Sequence, residues 1–130
     1  MNQIPHAPEI ETNVIGQLLS FPQEVGTKAM EILTADSFYQ PTENLIFRCC
    51  EFLFKNNRPI DIPTVVTALK ENNYLDRIGG PYTVSKLTDG VMYHHNIDSH
   101  LQLLVKMKMQ RDIINSAQQT LLEAYSSNCD

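Results

Sequence analysis

A chain of 130 residues is long enough to bury one hydrophobic core and too short for two. Its 42% hydrophobic and 19% charged residues are the proportions of a soluble globule, and no run of roughly 18 apolar residues is present to span a membrane. The net charge of -5 argues against phosphate backbones as the main ligand, because non-specific binding to nucleic acid needs a basic surface.

Residues 1–8, with two prolines, read as an extended lead-in and lack the basic start and apolar core of a secretory signal. From Glu9 the residues Ile10, Val14, Ile15, Leu18 and Leu19 recur at helical spacing, with Glu9 and Glu11 in the first turn. Phe21 and Pro22 end that helix. A second, about Gln23 to Leu33, places Val25, Ala29, Ile32 and Leu33 on one side. Phe38 and Tyr39 then plug the core at the entry to a third helix, Pro41 to Asn56. That segment is apolar over most of its circumference, with a narrow polar edge of Asn44, Arg48, Glu51 and Lys55, so it is the central helix, covered on several sides.

Asn57 to Pro59 make a turn, and Asp61 caps a fourth helix, about Ile62 to Asn72, that buries Val65, Val66 and Leu69. Gly79-Gly80 is turn punctuation, after which Pro81 and Gly90 frame a short helix bearing Val84 and Leu87. No stretch alternates with period two. The chain is all-α, a bundle of about five short helices over residues 1–95 followed by one long helix over 96–130. The core is expected to contain Phe38, Phe47, Phe52, Leu53 and Leu69.

The long helix, free of proline and glycine from Asn96 to Tyr125, would span about 45 Å against a domain radius of about 13 Å, so it must project. Its first half offers Ile97, Leu101, Leu104 and Val105 to the head. Its second half carries a seam of Met107, Ile114, Ala117, Leu121 and Ala124, interrupted by Gln110, that wants a partner helix. Lys106, Lys108 and Arg111 form the one local basic patch. It is a candidate contact for nucleic acid or an acidic partner, although such a trio is more often a solvated face.

Chemistry is sparse. No phosphate-binding loop, serine elbow or H-E-x-x-H helix occurs, so no ATP hydrolysis, catalytic residue or cofactor is expected. His94, His95, Asp98 and His100 cluster, and His94 with Asp98 at i, i+4 could present two metal ligands. Asn96 or Asp98 is more simply a helix cap there, and no metal is expected. Cys49, Cys50 and Cys129 have no C-x-x-C spacing, and the first two read as small buried apolar residues. The compartment expected is the cytoplasm.

In order and spacing the chain resembles the N-terminal domain of the bacterial replicative DNA helicase, the hexameric DnaB type. The matching residues are Pro5-His6 with Glu9 and Glu11, Val14 to Leu18, Asp36 with Phe38-Tyr39, Ile46-Phe47, and Pro59-Ile60-Asp61 with Thr64. They continue through Leu75-Asp76 with Gly79-Gly80, Leu87, Asn96, and Arg111 with Ile114. The chain departs from the family pattern at Glu43, at Thr83-Val84 and from Met92 to Asn96. The resemblance implies a helical head followed by a helical hairpin. Hairpins of neighbouring subunits pair into a six-membered collar that docks the C-terminal domain of primase and takes part in helicase loading. It further implies that an ATPase motor and the second hairpin helix follow in the full-length protein. With that cover missing, the apolar seam satisfies its physics either in a dimer through the long helices or in a helix whose last turns fold back onto the head, and the dimer is expected. A free-standing helical adaptor of phage type is the other reading the residues allow.

Overall fold

The computed structural model describes residues 3–93 and 95–127. Among them are seven α-helices and no strand: α1 (Pro8–Ser20), α2 (Pro22–Ile32), α3 (Pro41–Lys55), α4 (Ile62–Glu71), α5 (Leu75–Ile78), α6 (Pro81–Lys86) and α7 (Ile97–Ser127), with a 3-10 turn at Ala35–Ser37. The additional short helix is α5, in the stretch expected to be a lead-in to the glycines.

Prolines start these helices because a missing N–H costs nothing in a first turn; Pro8, Pro22, Pro41, Pro63 and Pro81 all occupy it. Asp61 caps α4 reciprocally: the Thr64 amide donates to its Oδ1 (2.9 Å), and its own amide donates to the Thr64 hydroxyl (3.0 Å). Asn57 and Asn73 close α3 and α4 in the left-handed conformation (φ 55° and 62°). In both, the residue after the asparagine reaches back to the helix, Arg58 to the Leu53 carbonyl (2.9 Å) and Tyr74 to that of Leu69 (2.8 Å).

The core joins α1 through Val14, Ile15 and Leu18, α3 through Ile46, Phe47, Cys50 and Leu53, α4 through Val65 and Leu69, and the first turns of α7 through Ile97, Leu101 and Leu104. Phe38 is buried and its ring lies 4.8 Å from that of Phe47. Helix α3 packs against α1, α2, α4, α5 and the 3-10 turn.

Phe52 corrects the expected core: it is 51% exposed. It lies four residues after Arg48 and three before Lys55, and at about 100° per residue that puts it on the polar edge. The buried face instead takes in Glu43. Tyr39 is likewise outside the core, 47% exposed, and Ile32, expected to face inward from α2, is 40% exposed.

Candidate assembly and docking surfaces

Two surfaces are candidates: the far half of α7, which exposes apolar side chains, and a groove on the head.

Helix α7 has 31 residues and so is about 46 Å long. Its root is seated by Ile97, Leu101 and Leu104 and by an exposed ion pair from Lys28 to Asp98 (3.4 Å). From Asp112 to Ser126 the side chains are exposed, apart from the half-buried Ile114. Of the proposed seam, Met107 and Ile114 are half-buried, while Ala117 and Leu121 are exposed. The apolar surface is broader than that seam, because Ile113, Leu122 and Tyr125 are also exposed. Tyr125, four residues after Leu121, extends the same stripe by a turn, a spacing readable from sequence.

The basic trio does not form one patch. Lys106 is exposed, and Lys108 is paired with Asp112 (2.6 Å). Arg111 is 7% exposed and turned inward, where Nη1 donates to the Pro5 carbonyl (2.9 Å) and Nη2 to those of Asp36 (3.1 Å) and Ser37 (3.2 Å). Its guanidinium also lies over the Tyr39 ring at 5.5 Å. At about 100° per residue Lys106 points well away from the other two, while Lys108 and Arg111, three apart, lie on neighbouring parts of one face, where only Arg111 is buried.

The histidine cluster is dispersed too. His94 lies outside the described residues, His95 packs edge-on against Tyr93, and Asp98 is engaged by Lys28. Among the described residues no group of three potential ligands is placed to hold a metal. Cys49 and Cys50 are buried and unpaired, and burial pushes the Cys49 thiol up to about 11 and that of Cys50 higher still.

The groove, of about 680 Å³, opens between the start of α1, the start of α3, and α6 with the segment after it. Glu9, Glu43 and Asp89 line it, with one cation, Lys86, and with Thr12, Asn13, Gln40 and Thr83. Glu43 lines the groove and Glu11 is tied to Gln40 in its wall; the sequence pattern marks both residues but not the contacts they make. Glu11, fully buried, accepts the amides of Tyr39 (2.9 Å) and Gln40 (3.0 Å), so its charge sits at the N-terminus of α3. Glu43 accepts the Thr12 hydroxyl (2.9 Å); burial raises its carboxyl above the ordinary value, the Thr12 bond opposes that, and the Glu11 charge adds to it. The Gln40 side chain closes the wall, donating to the Pro8 carbonyl (3.1 Å). Gly16 lets the far wall approach: a Cβ there would meet the Leu87 carbonyl oxygen at 2.4 Å.

Among the described residues no helix is long and apolar enough to cross a membrane. The chain is 33% identical over 109 residues to the replicative DNA helicase DnaB of Rhodothermus marinus, an alignment covering 84% of this chain and 12% of that protein. It is 27% identical over 123 residues to that of Pasteurella multocida, covering 95% of this chain and 26% of that protein. It thus spans about an eighth and about a quarter of these curated relatives. The fold superposes on the crystal structure of the N-terminal domain of DnaB helicase from Mycobacterium tuberculosis with a TM-score of 0.87, at 21% identity, over 97% of this chain and 89% of that one. Residues 3–106 match the family described as the DnaB-like helicase N terminal domain, and the chain belongs to that family.

Proposed function

We propose that this domain is a non-catalytic assembly and docking module of a hexameric, ATP-driven replicative DNA helicase, pairing through α7 and offering its head to primase and to a loader. The observation that carries the first half is the exposed apolar face of an arm that runs well clear of the head. Apolar surface left in water costs about 25 cal/mol per Å², and Ile113, Leu121, Leu122 and Tyr125 are all more than half exposed. A second arm, from another copy or from the same protein, relieves that cost. The test is Ile114→Asp with Leu121→Asp, which puts charge on the seam and leaves the buried head residues alone. Sedimentation should show an associating parent and a monomeric double variant. A parent that stays monomeric at high concentration, or a variant that associates equally well, would overturn the reading.

The docking half is supported by the groove's charge. Glu9 and Asp89 are exposed on its rim beside a single lysine, which suits a basic segment of the partner. Glu9→Lys with Asp89→Lys should weaken binding of a primase C-terminal domain by about tenfold or more, and calorimetry with unchanged affinity would place the partner elsewhere.

A further inference from the structure

Arg111 sits where α7 leaves the head. Before it Ile97, Leu101 and Leu104 are buried, and after it the arm is solvated. Among the described residues Arg111 is the only buried cation, and no carboxylate is ion-paired with it. Its partners are three main-chain carbonyls and the Tyr39 ring. A buried guanidinium held this way depends on every acceptor, because each one lost leaves a charged N–H with nothing to replace water.

One of those acceptors belongs to a lightly held piece of chain. The lead-in before α1 has Ile4 exposed and Pro5, His6 and Ala7 half-buried. Ala7, the last residue before α1, is tied to that helix by its carbonyl, which accepts the Glu11 amide (2.9 Å). Ahead of it the segment is held, besides the Pro5 carbonyl, by the His6 ring, tilted 39° against the ring of Tyr39 at 4.7 Å, while the His6 Nδ1 bond to the Ile4 carbonyl (2.8 Å) stays within the segment. Tyr39 thus carries both His6 and the Arg111 guanidinium. We infer that residues 4–7 are a releasable strap, and that strap and Arg111 together set the direction in which the arm leaves the head.

With the strap seated, Arg111 pins the lead-in, the 3-10 turn and α7 at one point. With it released, Nη1 turns to water, Tyr39 loses the His6 ring, and Arg111 keeps the Asp36 and Ser37 carbonyls and the Tyr39 ring. A partner that takes hold of the lead-in therefore competes with Arg111 for Pro5 and changes the angle at which two arms can meet. The Lys28 to Asp98 pair is no substitute: it lies at the arm's root and is exposed to screening. The inference concerns the single chain and holds whether or not the groove is a docking site.

The experiment is pulsed EPR on the 130-residue chain, with nitroxides at Thr67→Cys on α4 and Asn115→Cys on α7, both exposed, in a Cys129→Ser background. Cys49 and Cys50 are buried and escape labelling; dilution with unlabelled protein removes distances between copies. The parent should give one narrow distance peak. Deleting residues 1–6 should replace it with a broad distribution, Arg111→Met should do the same, and combining them should add nothing, as expected for two parts of one interaction. Arg111→Lys, which keeps the charge but not the fork of donors, should broaden it less; Lys28→Ala should leave the peak in place. An unchanged peak after deletion, or additive broadening in the combination, would overturn the inference. Should Arg111→Met unfold the head, the deletion decides alone, since it leaves Arg111 and the core intact.

Discussion

Two buried glycines inside helices make a matched pair in which opposite outcomes are expected from the same substitution. At Gly16 on α1, a Cβ would lie 2.4 Å from the Leu87 carbonyl oxygen and 3.0 Å from Val91 Cγ2. Leu87 would have to retreat by about 1 Å to restore ordinary van der Waals contact. The obstacle is main chain, so no rotamer change can relieve it. Alanine gains about 1 kcal/mol over glycine in a helix interior, whereas overpacking costs about 1–3 kcal/mol and more when the backbone must shift. Gly16→Ala should therefore be destabilising by about 1–2 kcal/mol, lowering the melting temperature by about 3–8 °C. At Gly26 on α2 the nearest atom to the added methyl is Leu18 Cδ1 at 3.9 Å, an ordinary contact. Gly26→Ala should gain up to about 1 kcal/mol and melt a few degrees higher. Thermal unfolding by far-UV circular dichroism reads both. A Gly16→Ala protein that melts at or above the parent would show that the approach of α1 to the Leu87–Val91 segment, and with it the far wall of the groove, is looser than described.

Phe52→Ala should cost under about 1 kcal/mol because the ring is half in water, while Phe47→Ala should cost about 3–5 kcal/mol; equal losses in denaturant titrations would contradict the burial difference. Asp61→Ala removes the acceptor for the Thr64 amide and should cost about 1 kcal/mol, measurable as a shifted urea midpoint with unchanged slope. Burial raises the Glu43 carboxyl above its ordinary value of 4.5, so the folded protein holds that proton more tightly than the unfolded chain. Its contribution is therefore most favourable below pH 4.5 and is lost as pH rises through the folded value. Glu43→Gln should accordingly gain stability relative to the parent as pH climbs from 4.5 toward neutrality, and a stability difference that does not vary with pH would refute the raised value.

What could be read from the sequence was local. Pro41 and Pro81 at helix starts, Asp61 as a cap and Asn57 in the turn after α3 all act within four or five residues, and apolar spacing then places Val14, Leu18, Phe47 and Leu69 inside. What could not be read depends on distant chain. Glu11 looked like a first-turn acid serving its own helix, yet its oxygens meet the amides of Tyr39 and Gln40 at the start of another. Arg111 looked like part of a solvated basic face because its acceptors are carbonyls, which every residue has and no pattern of side chains announces. Phe52 is a simpler case: its hydrophobicity points inward, while the helical angle sets it between Arg48 and Lys55 on the polar edge. The groove draws its walls from three separate segments, so no single stretch of sequence marks it.

The seating of α7 against α1, α2 and the 3-10 turn has a consequence for how the domain is made. The first third of the chain buries its apolar faces partly against Ile97, Leu101 and Leu104, and Pro5 meets Arg111 across 106 positions. During synthesis at about 5–20 residues per second, the stretch between the 3-10 turn and Arg111 takes about 4–15 s to follow. Over that interval α1 and α2 emerge with one side of their packing missing, while α3 and α4, close neighbours in sequence, can pair at once. Nascent chains halted before residue 97 should therefore be cut readily by protease in α1 and α2, and gain resistance only once the root of α7 is available to close over them.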